Sequence, residues 1–132
     1  MRILLDTHVF LWWITDDRRL TATVRQALAD PGVSLYWSAA SSWEVAIKHA
    51  IGRLPLPEDP GLLLAKHRRL NRVELLAIQE EHVLAAAALP RHHDDPFDRL
   101  LVAQARVEGL VLASLDRLLR PYEVPLLPST EG

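Results

Sequence analysis

A chain of 132 residues, 49% apolar and 24% charged, can bury roughly two thirds of the surface its unfolded form exposes, and is read as one domain over 1–132 with a self-sufficient core. It contains no cysteine, which excludes a disulfide framework, a thiolate metal site and thiol catalysis, and is compatible with a reducing compartment. Fifteen Lys and Arg against seventeen Asp and Glu give a formal net charge of −2, an unpromising total for capture of nucleic acid by broad charge.

The opening "MRILLD" meets a carboxylate too soon for a secretory signal core, and no later run approaches the length of a membrane helix, so the cytoplasm is the expected compartment and no membrane partner is expected. "RILLD" reads as a buried strand ending in Asp6, and "THVFLWWI" after it has helical spacing. "LTATVRQALAD" repeats Leu20, Val24, Ala27 and Leu28 on one face and stops at Pro31 and Gly32; "VSLYW" is a second strand. "SAASSWEVAIKHAIG" is a helix with a Ser at its start and Gly52 at its end, and the proline-rich "LPLPEDPG" leads into a third pattern of helix around Leu62 to Leu70. A short strand "RVELLAI", a helix "EEHVLAAAAL" and a helix "PFDRLLVAQARVEG" closed by Gly109 follow. "LVLAS" is the most strand-like run, and "YEVPLL" is an edge-strand candidate, where its proline is tolerated. Strands alternating with helices predict an α/β fold with a parallel sheet covered on both faces.

Ligands of such a sheet gather outside the carboxyl ends of its strands, so acids at those ends are the ones to inspect. Asp6 closes the first strand, Asp116 follows "LVLAS" by two residues, and Asp98 lies in the first turn of the helix feeding that strand. Glu44 falls in line with Ala40, Ile47 and Ile51, a carboxylate within an apolar helical stripe, and a buried acid needs a partner. Each has a plain structural explanation. Asp95, Pro96 and Asp98 fit the cap, first and third positions of a helix; Asp6 and Thr7 can cap the first helix; Glu44 can pair with Lys48 one turn on; Asp116 can be a turn residue. Capping alone, however, does not require acids to recur at the functional edge of a sheet.

"LLDTHVFLWW", "SAASSWEVAIKHAIGRL", "HHDDPFDRLLVAQA" and "LASLD", in that order and spacing, resemble the acidic motifs of PIN domains, specifically of VapC-type toxins from toxin–antitoxin pairs. The resemblance spans residues 3 to about 127. It implies a PIN-like α/β/α sandwich with a mostly parallel central sheet, a metal-dependent ribonuclease, a cognate antitoxin and a homodimer. Carried over by motif, the catalytic and metal-holding acids are Asp6, Glu44, Asp98 and Asp116, with Thr7, Asp95 and Ser114 as outer-shell groups.

Four carboxylates in one site repel one another unless a divalent cation neutralises them, and all-oxygen ligands favour Mg²⁺ or Mn²⁺ over zinc. Setting those four aside leaves fifteen basic against thirteen acidic residues, so an RNA substrate is no longer disfavoured. Lys48, Arg53, Arg99 and Arg117 flank the acidic motifs as candidate RNA phosphate contacts, while the basic "KHRRLNR" is either a second such patch or a solvated helix face. Adjacent His92 and His93 cannot both offer rings to one ion from a regular element; they are read as loop residues near the site, and His8 as a helix-start residue. Trp12 and Trp13 cannot share one helix face, so one is expected in the core and the other on a contact surface, where an antitoxin would lie. Two rivals remain open: a phosphatase or phospho-acceptor domain using Asp6, and a non-catalytic interaction domain.

Overall fold

The computed structural model describes residues 1–128. In chain order the elements are β1 (Arg2–Leu5), α1 (Thr7–Ile14), α2 (Ala22–Ala29), β2 (Ser34–Ser38), α3 (Ala39–Ala50), α4 (Pro60–Leu70), β3 (Val73–Leu76), α5 (Glu80–Ala87), α6 (Pro96–Glu108), β4 (Val111–Ala113), a short 3₁₀ turn (Arg117–Leu119) and β5 (Leu126–Leu127). The strands form one sheet in the order β3-β2-β1-β4-β5, and the four pairings are parallel.

The alternation of side chains along β1 separates two cores. Ile3 and Leu5 point to one face of the sheet, where they join Val9, Phe10, Trp37 and Val45; Leu4 points to the other, with Leu101, Val102 and Leu112. All three β1 residues are fully buried, each worth about 1.5–3 kcal/mol of transfer free energy, which makes this strand the spine of the domain. Helices therefore cover both faces, as the alternating pattern predicts.

Local chemistry sets the helix ends. Ser38 Oγ accepts from the Ala40 N–H and starts α3. The Asp-Pro pairs at 59–60 and 95–96 start α4 and α6, with proline at the first helical position, where its missing N–H is no loss. Gly109, at φ 68°, ends α6 in the left-handed conformation that a side chain disfavours, and turns the chain into β4.

The order of the strands reverses direction of growth at β1, whose neighbours are β2 on one side and β4 on the other. A crevice opens at such a switch point, outside the carboxyl ends of β1 and β4. Among the described residues no helix is long and apolar enough to cross a membrane.

Candidate active site

Asp6 follows β1 directly and occupies the cap position of α1, but its side chain makes no capping hydrogen bond. It turns instead across to β4, where Ser114 Oγ donates to Oδ2 at 2.8 Å. The other oxygen, Oδ1, is buried and has no hydrogen-bond partner among the described residues. A buried carboxylate oxygen left without a donor is costly unless something else meets it. Burial pushes the Asp6 carboxyl above its usual range, against the opposing Ser114 hydrogen bond.

Asp98 stands in the first turn of α6, aimed by the Asp95 cap, whose Oδ1 accepts from Phe97 N at 2.8 Å and Asp98 N at 3.3 Å. Burial, reinforced by the carboxylates of Asp6, Asp95, Glu44 and Asp116, pushes Asp98 up to about 8. Asp116 follows β4; its Oδ1 accepts from Leu118 N at 2.9 Å, so it also caps the 3₁₀ turn, and Ser114 Oγ accepts from its backbone N–H. Asp6, Asp98 and Asp116 line one cleft of about 330 Å³ together with His8, Trp12 and Arg19. The largest depression of the surface, about 680 Å³, lies elsewhere, between Leu89, Arg106 and Tyr122, and its lining offers a single carboxylate, Glu123. Chemistry that needs several acids therefore belongs to the smaller cleft.

His93 is engaged more closely than a nearby loop residue would be. Its Nδ1 accepts the Asp95 backbone N–H at 3.1 Å, which assigns the ring proton to Nε2. That N–H is hydrogen-bonded to Asp116 Oδ2 at 2.9 Å, with Asp98 Oδ2 close by at 3.1 Å, so the ring sits between the two carboxylates. The ligand-type atoms of His93, Asp98 and Asp116 lie within 4.8 Å of one another. The adjacent histidines drew attention in the sequence, but nothing local told which ring turns inward.

Glu44 is only 2% exposed, yet it is closed off. Thr7 Oγ1 donates to Oε1 at 2.7 Å and Lys48 Nζ to Oε2 at 2.6 Å, while Ser41 Oγ packs 2.8 Å from Thr7 Oγ1. Burial opposes the charge on Lys48, but the hydrogen bond and charge of Glu44, joined by the charges of Asp95 and Asp98, together outweigh it and raise the ammonium's pKa. The buried face of α3 is Ala40, Ser41, Glu44 and Val45; Ile47 and Ile51, expected to share the Glu44 stripe, are exposed. The helix rests on α1 through Ser41 and Glu44, which rotates that stripe outward.

Of the expected phosphate contacts, Arg99 is corrected outright. Its guanidinium reaches the carbonyl oxygens of Ala86 at 2.9 Å, Leu89 at 3.0 Å and Pro90 at 3.0 Å, and so ties the loop before α6 to the end of α5. Lys48 is held by Glu44, and neither Arg53 nor Arg117, both exposed, lines the cleft. The basic stretch 66–72 closes α4, where Lys66 pairs with Glu58 at 2.5 Å, as a solvated helix face does. Arg19 is the cation that sequence reasoning missed. It comes from the α1–α2 connection and borders the acids only through the fold. Trp12 and Trp13 are both half-buried rather than divided between core and surface; the exposed indole is Trp43. Of the two neighbours that the phospho-acceptor alternative would use beside Asp6, Thr7 is tied to Glu44, while His8 packs its ring on Trp12 and lines the cleft.

The chain is similar to Ribonuclease VapC22 of Mycobacterium tuberculosis, 32% identical over 124 residues that cover 93% of each chain. Its fold is similar to that in the crystal structure of VapBC2 from Rickettsia felis bound to a DNA fragment from their promoter, with a TM-score of 0.71, 14% identity, and coverage of 96% of this chain and 97% of that one. It is also similar to VapBC-1 from nontypeable Haemophilus influenzae, with a TM-score of 0.62, 19% identity and 96% coverage of both chains. Residues 3–123, the stretch from β1 past β4 that carries all of the clustered acids, match the PIN domain, and the chain belongs to the PIN-domain family.

Proposed function

We propose that this chain is a metal-dependent endoribonuclease, the toxin of a toxin–antitoxin pair acting in the cytoplasm, with Asp6, Asp98 and Asp116 as the carboxylates that hold a divalent cation. The observation that carries this reading is the convergence of these three acids on one cleft, with a buried Asp6 oxygen that has no hydrogen-bond partner among the described residues. The donor set is carboxylate oxygen, which suits Mg²⁺ or Mn²⁺. When bound, such an ion supplies Lewis acidity to a phosphodiester oxygen and makes a water acidic enough to attack at neutral pH.

The protein's own groups divide the remaining work. Asp98, raised to about 8, would have to give up its proton to hold a cation. Ser114 holds Asp6 by one oxygen and leaves the other free. His93 keeps Asp98 and Asp116 at a common distance, and Asp95 fixes both the His93 tautomer and the start of α6. Glu44, already neutralised by Lys48 and held by Thr7, would act on a cation from outside the set of Asp6, Asp98 and Asp116.

Two apolar surfaces support the proposed partners. A groove of about 440 Å³, lined by Leu11, Trp12, Ile14, Leu54, Leu56 and Leu63, adjoins the acidic cleft and suits the tail of a cognate antitoxin. Exposed Trp43 packs edge-on against Phe97 at 5.3 Å and, with Val83 and Leu100, lines a depression of about 330 Å³ on α3, α5 and α6, a fitting contact for a homodimer. The direct test is incubation of the purified chain with single-stranded RNA. Cleavage with Mn²⁺ that stops on chelation is the expected result; intact RNA in the presence of the metal overturns the reading.

A further inference from the structure

We propose that Arg19 grips a phosphate of the RNA strand at the rim of the acidic cleft, a role that rests on the ribonuclease reading above and extends it to how the substrate is held. RNA brings negative charge to a cleft built from carboxylates, so its approach needs a cation close to, but not inside, the acids. Among the described residues, Arg19 is the one Lys or Arg side chain that lines the cleft with Asp6, Asp98 and Asp116.

The guanidinium is prepared for this role. Asp17 takes one edge of it, with Arg19 Nε donating to Oδ1 at 3.1 Å and an Nη2 hydrogen to Oδ2 at 2.7 Å, and Asp17 Oδ1 also accepts the Arg19 backbone N–H at 2.9 Å. Its Cζ lies over the Trp12 ring, 5.0 Å from the centroid, and Trp12 itself packs on His8. Nη1 has no protein partner among the described residues, so one face of the fork remains for a ligand. The side chain is 69% exposed, held by its neighbours but open to solvent. A planar donor fork fixed on two sides matches the geometry of a phosphate better than a mobile ammonium does. The other basic groups near the site are committed or absent: Lys48 to Glu44, Arg99 to loop carbonyls, and Arg53 and Arg117 away from the cleft.

The test is fluorescence anisotropy of a labelled single-stranded oligoribonucleotide with Mn²⁺ over a range of salt, in an Asp98→Asn background so that the strand stays intact. Arg19→Gln should weaken binding about 3- to 10-fold near physiological salt and reduce the slope of log Kd against log salt by about 0.7, the contribution of one phosphate contact on a single strand. Arg19→Lys keeps the charge and should keep the slope, with weaker binding than Arg because the fork is lost. Arg18→Gln, exposed on the same loop but outside the cleft lining, should change neither quantity. Parental affinity and slope in Arg19→Gln overturn the proposal and assign the guanidinium to a protein contact instead; an equal loss in Arg18→Gln overturns it as well. Failure of the ribonuclease reading is separate: it shows as RNA left whole by the unmutated chain with Mn²⁺, while anisotropy still decides whether Arg19 meets the strand.

Discussion

Glu44 on α3 and Asp98 on α6 face the same region, and both are carboxylates withdrawn from water, yet they are handled in opposite ways. Glu44 receives a hydroxyl on one oxygen and an ammonium on the other, so its charge is balanced within the protein. Asp98 has only the His93 Nε2–H nearby, at 3.1 Å, and burial, reinforced by the carboxylates of Asp6, Asp95, Glu44 and Asp116, pushes its pKa up to about 8. One half of the site is balanced by a cation of the chain, and the other has no Lys or Arg ion pair among the described residues. Burial alone therefore does not mark a ligand; burial without a counter-charge does.

Changes that exchange these two conditions should break the contrast. The largest effect is expected for Asp98→Asn: loss of metal-dependent cleavage by on the order of 10³-fold, since the charge stabilisation at stake is several kcal/mol, with folding intact by circular dichroism. Turnover at the parental rate would remove Asp98 from the mechanism. Next is Lys48→Met, which leaves Glu44 buried without its cation and should lower stability by about 3 kcal/mol in urea unfolding, at the low end for such pairs because Lys48 is partly exposed. An unchanged midpoint would show that Glu44 does not depend on Lys48.

The pH dependence sharpens the same comparison. In the folded chain Asp98 keeps its proton up to about 8, whereas unfolded it gives it up near 3.8. The stabilisation from that proton is complete below the unfolded value and is lost as pH rises from about 4 through 8. Without metal, thermal stability should fall across this window. Mn²⁺ affinity should rise across it by up to about tenfold per pH unit, because binding displaces the proton. Parallel titrations of Asp98→Asn should be shallower, with the remainder left by the raised Asp6 carboxyl, and an equal slope there would assign the proton elsewhere. The smallest effect is expected for Ser114→Ala, which removes the hydrogen bond that orients Asp6: about tenfold in activity, the lower end for outer-sphere partners of a metal site.

Much of this was legible in the sequence, and the exceptions follow a pattern. The strands and helices were readable because β1 and β4 are short buried runs and because Ser38, Asp95–Pro96 and Gly109 mark ends through local chemistry, whereas Asp59–Pro60, read as part of a connector, starts α4. Asp6, Asp98 and Asp116 could be named because parallel topology sends strand ends to one edge. Side chains whose partners are distant in the chain could not be read in this way. Arg99 is drawn to carbonyls of a loop with no pattern of its own, and Arg19 reaches the cleft only through the turn between α1 and α2. Which ring of the His92–His93 pair turns inward is set by a backbone N–H at Asp95, and periodicity misplaced the Glu44 stripe because it does not reveal how far α3 rolls against α1.

The most direct measurement is calorimetric titration of Mn²⁺ into the unmutated chain, Asp6→Asn, Asp98→Asn, Asp116→Asn and Glu44→Gln at pH 8. The account predicts that each Asp variant loses binding by about 100-fold or more, while Glu44→Gln, whose oxygens are already engaged, loses about tenfold at most. Equal binding by the Asp variants and the unmutated chain, or a loss confined to Glu44→Gln, would contradict it.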